Sequence, residues 1–292
     1  MPARPSSIAA SFTSAARLIL VLGFLGGCAT TQQTLELPQP SISTSPKFAA
    51  LVIDGSKGTI LYQQNADAPR YPASLTKMMT LYMLFEAMES GRVTRDTQIP
   101  VSDNAARRPP TKIGFRHGQS IDVDSAIRAL VVKSANDVAV AIGEFLGNGS
   151  EEAFADMMTF KAREIGMRGT TFRNASGLPD GRQSTTARDM AVLGLALRSR
   201  FPAQYAYFST QSFSYRGRTI RGHNKLLADV EGVDGIKTGY IRDSGYNIVT
   251  SVKRNGRKLV VVVMGGDTAV ARNAAVEGLI ERYLPQAAPS GS

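Results

Sequence analysis

One short stretch constrains this chain more than any other. Tyr71-Pro72-Ala73 leads straight into Ser74-Leu75-Thr76-Lys77, and a run rich in methionine and leucine follows to Met88. Proline suits a turn that delivers the chain into a helix, and the run after it has strong helical propensity. The pattern predicts a buried helix over 74–90, closed by Gly91. Ser74 and Lys77 then share one face, at the end where free backbone N–H groups and the positive helix dipole gather. A serine hydroxyl becomes a nucleophile when a base takes its proton, and a desolvated lysine can be that base. Alone, the spacing is common, and a serine cap followed by a solvated lysine accounts for it equally well.

The rest of the chain supplies a frame. Residues 47–52 and 59–63 flank Asp54-Gly55-Ser56-Lys57-Gly58 and read as a β-hairpin. Helical spacing recurs over 124–132, 138–146, 151–165 and 188–199, so the middle third is largely helical. Short strands follow at 212–215 and 218–221, then a glycine-rich edge strand at 232–240. Two strands at 246–252 and 258–264 are joined by Arg254-Asn255-Gly256-Arg257, a hairpin turn signal, and an amphipathic helix over 269–283 closes the chain. Hairpin, helices, antiparallel strands and a last helix define an α/β chain of the α+β type. The first hairpin is expected to join the late strands in one antiparallel sheet flanked by helices, with the helical middle as a second lobe. Sites favour such a junction.

Within this frame three short elements fall in order: Ser74-x-x-Lys77, Ser134-Ala135-Asn136 and Lys237-Thr238-Gly239. The first opens a helix, the second interrupts two helical runs, and the third lies on a glycine-rich strand. That set is the signature of penicillin-binding proteins and class A β-lactamases. With Phe172-x-Asn174-x-x-Gly177-Leu178-Pro179-Asp180, Thr186-Ala187-Arg188-Asp189-Met190 and Asn224-x-Leu226-Leu227, the chain from about Ala49 to Leu284 resembles the low-molecular-weight penicillin-binding proteins, the serine-type D-alanyl-D-alanine carboxypeptidases. The resemblance implies a β-lactamase/transpeptidase-like fold. It implies a peptidoglycan stem peptide ending in D-Ala-D-Ala as substrate, and β-lactam antibiotics as covalent inhibitors.

The resemblance also implies roles. Ser74 is the nucleophile, Lys77 its base, and Ser134, with Lys237, relays a proton to the leaving amine. Asn136 binds the substrate amide, and backbone N–H groups of Ser74 and Tyr240 form the oxyanion hole. Thr238 and Arg272 hold the terminal carboxylate, beside Gly239; a solvated helix charge is the plainer reading of Arg272. The family often has histidine where this chain has Tyr240, which bears on activity level and pH profile. Ser102-Asp103-Asn104 also reads S-x-N, but its position after an extended piece suits the cap of a short helix near Ala105. A D,D-endopeptidase cutting cross-links would use the same acylation. A β-lactamase is disfavoured because no E-x-x-L-N lies between the second and third motifs. A non-catalytic β-lactam-binding envelope protein is disfavoured by the intact Ser74, Lys77, Asn136 and Lys237.

The first 28 residues carry only Arg4 and Arg17 as charges, then the apolar run 18–25, then Gly26-Gly27-Cys28. They read as a secretory signal peptide, and Leu25-Gly26-Gly27-Cys28 resembles a lipoprotein lipobox in which Cys28 is acylated. The alternative is a chance cysteine beside an ordinary cleavage site. Residues 29–46, rich in Ser, Thr, Gln and Pro, read as a flexible tether, 47–284 as the catalytic domain and 285–292 as a disordered tail. The anchor expected at Cys28 takes the place of the family's C-terminal β-domain and amphipathic helix. The expected location is the periplasm or cell envelope.

The rest of the composition is exclusion. Two of the 34 basic and none of the 24 acidic residues lie in 1–28, so the remainder carries a net +8. The cations are scattered and not interleaved with aromatics, which argues against nucleic acid and for an anionic substrate or surface. A single cysteine permits no internal disulfide. With only His117 and His223, no metal site and no cofactor are expected.

Overall fold

The computed structural model describes residues 45–289. The expected signal peptide, Cys28 and the expected tether up to residue 44 lie outside the described residues. In chain order the elements are β1 (Ala49–Asp54), β2 (Ile60–Gln64), a 3-10 turn (Ala73–Leu75), α1 (Thr76–Glu89), β3 (Gln98–Pro100), α2 (Asp103–Ala106) and β4 (Ser120–Asp122). Next come α3 (Val123–Arg128), a π-turn (Ala129–Lys133), α4 (Asn136–Leu146), α5 (Glu151–Glu164), α6 (Ala187–Arg200) and α7 (Pro202–Tyr205). The hairpin β5 (Ser212–Tyr215) and β6 (Arg218–Arg221), α8 (Leu226–Asp229), β7 (Val233–Ile241), β8 (Gly245–Arg254), β9 (Arg257–Gly266) and α9 (Ala269–Tyr283) follow.

The main sheet has the order β2-β1-β9-β8-β7, and every pairing in it is antiparallel. The first hairpin joins the late strands through β1 and β9, with Leu51 opposite Val262. Alternation along each strand splits the side chains between two cores. Leu51, Val249, Val260 and Val262 face the helical lobe, while Ala50, Val52, Val261 and Val263 face Val276, Leu279 and Ile280 of α9. With both faces covered, β9 reads as an unbroken apolar run instead of an alternating one. Asn255 (φ 52°) and Gly256 (φ 71°) close the β8–β9 hairpin with the paired positive φ of a type I′ turn.

The helical lobe is built around α1. Met78, Met79, Leu81, Leu84 and Phe85 are wholly buried, each contributing about 2 kcal/mol by leaving water. A helix apolar on all sides has to be a core helix, so this methionine-rich run is packing. Side-chain caps fix where the other helices start: Asp122 for α3, Ser150 for α5, Thr186 for α6 and Thr268 for α9 each accept the backbone N–H three residues on.

Three differences from the sequence expectation have plain causes. Ser74 lies in the 3-10 turn that precedes α1, because Ala73 takes a left-handed backbone (φ 49°) and the helix starts only at Thr76. The helix expected over 124–132 is α3 ending at Arg128, then a π-turn that delivers Ser134 into the left-handed region (φ 58°, ψ 38°). The tail is ordered as far as Pro289: Leu284 and Ala287 are buried in the α9 core, Ala288 N–H donates to Asp54 Oδ2 at 2.7 Å, and Pro289 bridges Arg257.

Candidate active site

The 3-10 turn is gripped from three sides. Asn247, buried on β8, donates through Nδ2 to the carbonyls of Tyr71 (3.0 Å) and Pro72 (3.3 Å) and accepts the N–H of Gly265 at 2.9 Å. From β7, Gly239 comes so near that a Cβ there would stand 3.1 Å from Ser74 N. From the 174–178 loop, Gly177 (φ 81°) presses on Ala73; a Cβ would meet the Ala73 carbonyl oxygen at 1.8 Å. Only glycine fits a position that is both left-handed and in backbone contact. Asn174 shapes this loop, accepting the N–H groups of Ser176 (3.2 Å) and Gly177 (2.7 Å) and donating to Leu178 O.

Lys77, the second residue of α1 and three positions after Ser74, is completely buried. Its Nζ lies 3.1 Å from Ser74 Oγ, 2.8 Å from Asn136 Oδ1 and 2.5 Å from the Ser176 carbonyl oxygen. Burial, and then the charge of Lys237, hold its pKa well below the ordinary lysine range, against the opposing pull of Asp137. An unprotonated amine has two N–H bonds for the two carbonyl oxygens, leaving its lone pair facing the serine O–H. That geometry can take the hydroxyl's proton.

Opposite the turn, the loop between the π-turn and α4 presents Ser134 and Asn136. Asn136 also donates to Pro109 O at 3.0 Å, and its backbone N–H donates to Thr111 O at 2.7 Å. Thr111 Oγ1 donates to Ser134 O at 2.9 Å, so residues 109–111 lock this loop. Ser134 Oγ is buried without a protein partner, in a left-handed backbone that costs a serine about 1 kcal/mol. A hydroxyl held that way is free for something that enters the cleft.

On the third side, β7 is the edge strand of the sheet. Lys237 is 2% exposed and donates to Thr238 O at 2.9 Å; burial, with Arg272 near, pulls its pKa down to about 7. Arg272, in the first turn of α9, is 5% exposed and therefore not a solvated helix charge. Its Nη1 donates to Asn247 O at 3.1 Å, and burial lowers its pKa to about 10. Tyr240 is 52% exposed and its ring packs on Tyr246, with centroids 4.3 Å apart and the planes tilted by 32°.

One cleft of about 570 Å³ collects these groups: Ser74, Ser134, Asn136, Thr238, Tyr240 and Arg272 line it, with Gly239 between the last strand residues. Lys77 and Lys237 lie under its wall. Ser102 and Asn104 are elsewhere: both donate to the Glu144 carboxylate (2.6 and 2.8 Å), and Ser102 Oγ caps α2 by accepting Ala105 N–H. Sequence reasoning assigned no part to Ser176 O, Asn174 or Asn247. An Asn-x-x-Gly turn signal marks the first two; nothing in the sequence marks the third. Among the described residues no group of histidine, cysteine and carboxylate side chains could hold a metal, and no helix is long and apolar enough to cross a membrane.

A serine and a buried lysine at the head of a core helix, faced by a serine–asparagine loop and a lysine-bearing edge strand, define a serine acyl-transfer site on the penicillin-binding fold. The D-alanyl-D-alanine carboxypeptidase family matches residues 36–268, and the chain belongs to that family. It is 32% identical over 268 residues to D-alanyl-D-alanine carboxypeptidase DacA of Escherichia coli K12, covering 89% of this chain and 66% of that one. It is 30% identical to DacF of Bacillus subtilis, over 82% of this chain and 62% of the relative. The chain thus spans just under two thirds of the length of these curated relatives. Among solved structures, the carboxypeptidase DacD of Francisella tularensis superposes with a TM-score of 0.78 at 28% identity, over 89% of this chain and 75% of that one. The ampicillin-bound form of penicillin-binding protein D2 from Listeria monocytogenes gives 0.73 at 30% identity, over 80% and 95%.

Proposed function

We propose that the chain is a serine D,D-carboxypeptidase that removes the terminal D-alanine from peptidoglycan stem peptides through an acyl-enzyme. The observation that carries this is the Lys77 amine, stripped of water and aimed at Ser74 Oγ at 3.1 Å. Ser74 Oγ attacks the carbonyl carbon of the penultimate D-alanine, and its proton passes to Lys77 Nζ. The oxyanion sits between the backbone N–H groups of Ser74 and Tyr240. The proton taken up by Lys77 is relayed through Ser134 Oγ, helped by Lys237, to the leaving amine; the C–N bond breaks and D-alanine departs. Asn136 holds the substrate amide, and Thr238 and Arg272 the terminal carboxylate. Water then hydrolyses the ester, freeing Ser74 and a stem shortened by one residue.

β-Lactams would acylate the same serine and stall there, a reading supported by the ampicillin-bound relative. Residues 1–28 would direct export, Cys28 would carry the lipid anchor, and 29–46 would tether the 47–284 catalytic domain in the envelope. A fluorescent penicillin tests the chemistry: covalent label on the wild type and none on a folded Ser74→Ala variant. Label persisting at one other serine refutes the assignment. Mass spectrometry of muropeptides tests the substrate: loss of one D-alanine is expected, whereas monomers released from dimers would make the chain an endopeptidase.

A further inference from the structure

Behind the edge strand lies a second cavity, of about 260 Å³, walled by β6, the segment up to α8, the π-turn and the inner end of β7. It is continuous with the cleft: Gly222, His223, Lys225 and Thr238 line both. Its charge is one-sided. Arg221, His223, Lys225 and Lys237 border it, and no aspartate or glutamate does. None of the salt bridges among the described residues involves Arg221 or Lys225. Asn224, also in the wall, has both its amide oxygen and its amide nitrogen buried with no partner in the protein. A buried amide left unpaired costs about 1–3 kcal/mol, so these atoms need a guest, either water or a ligand. Lys237 is the floor, and Thr238 O takes one of its N–H bonds at 2.9 Å, leaving the others for an anion.

Two exposed cations, Arg221 and Lys225, with the Lys237 amine and the His223 imidazole as further N–H donors, and an unpaired amide with no competing carboxylate suit a carboxylate. We propose that this cavity is a second subsite, which binds a carboxylate of a peptide already seated in the cleft. That the occupant is a peptide rests on the acyl-transfer reading above; that the cavity takes a carboxylate does not.

Glutarate, a small dicarboxylate, is the probe. The chain has two histidines. His223 lines the cavity, and His117 is exposed and 3.1 Å from Asp103, lining neither the cavity nor the cleft. Adding glutarate at constant ionic strength should move the imidazole NMR signals of His223 saturably and leave those of His117 in place. Arg221→Gln and, separately, Lys225→Gln should each weaken binding by about tenfold, the size of one lost charge-assisted hydrogen bond. Both side chains are exposed, so the fold survives their loss. Equal, unsaturable movement of both histidines, no effect of either variant, or tighter binding of inorganic phosphate than of glutarate would overturn the subsite. As a second arm, two stem peptides differing only by a side-chain carboxylate against its amide are compared by kcat/KM. The wild type should prefer the acid by about tenfold and Arg221→Gln by less than about threefold. Failure of penicillin labelling would remove the acyl-transfer reading while the glutarate result still decides the subsite.

Discussion

The carbonyl oxygen of Ser176 lies 2.5 Å from Nζ of Lys77, although 99 positions separate the two in the chain. This contact explains why the loop carrying Phe172-x-Asn174-x-x-Gly177 belongs with the three motifs. A main-chain carbonyl only accepts, so it fixes one N–H of the amine and with it the direction of the lone pair. Thr80 Oγ1 fastens the neighbouring Ala175 O at 2.7 Å, tying the same loop to α1 a second time.

Gly177→Ala should therefore damage both stability and chemistry. The added methyl has to displace the Ala73 backbone, from which it would stand 1.8 Å. A loss of at least about 2–3 kcal/mol is expected from overpacking and a left-handed alanine. Acylation by a fluorescent penicillin should fall by more than about tenfold. Wild-type melting and wild-type labelling would show that the loop does not bear on Ser74.

The two S-x-N sites separate cleanly. Ser134→Ala or Asn136→Ala should slow acylation by about a hundredfold or more, the usual cost of losing a proton relay or a positioning group. Ser102→Ala removes a helix cap and one hydrogen bond to Glu144, so it should cost about 1 kcal/mol of stability and change acylation by less than about threefold. If Ser102→Ala is the crippling change, Ser134 and Asn136 do not have the roles proposed.

The pH profile follows from two buried lysines. Acylation should rise with pH as Lys77 gives up its proton, then fall above about pH 7 as Lys237 loses the proton with which it assists the relay through Ser134. For stability the sign is the reverse of that falling limb. Above about pH 7 the folded state has released the Lys237 proton, while the unfolded chain keeps it to roughly 10.4. The unfolded state binds the extra proton across that window, so this contribution raises stability as pH increases. Lys237→Met should remove both the falling limb and the rise. A wild-type acylation rate that stays level between pH 7 and pH 9 would contradict the assignment.

Anchoring is tested at Cys28. Cys28→Ser should move the protein from the membrane to the soluble envelope fraction and remove the mass of the acyl chains. A single chain anchors only marginally, so more than one is expected on the wild type. Unchanged partition with no lipid mass would rule out the anchor.

Much of this site was legible as residue types in order. Ser74, Lys77, Ser134, Asn136 and the Lys237-Thr238-Gly239 strand could be found because each combines a side chain with a local cue: a turn before an apolar helix, a break between helical runs, glycines on a strand. The edge position of β7 was read from its glycines, and the pairing of the first hairpin with the late strands from the order of elements. Other features had no local cue. Ser74 in a 3-10 turn depends on pressure from Gly177 and Gly239, and Asn247 looks like any polar residue in a strand until its amide is seen holding Tyr71 and Pro72. The ordered end at 285–289 was invisible for the same reason: its composition is that of a tail, and the Asp54 carboxylate, Arg257 and the α9 core hold it down.

The contact between the rings of Tyr240 and Tyr246 has a practical use. The chain contains no tryptophan and nine tyrosines, so all its intrinsic ultraviolet emission is tyrosine emission. Two of the nine emitters lie in contact at the cleft, their rings tilted by 32°, one of them half open to solvent. Anything that enters and covers that ring alters its quenching, so occupancy of the cleft can be followed optically, in real time, without a label and without altering a residue.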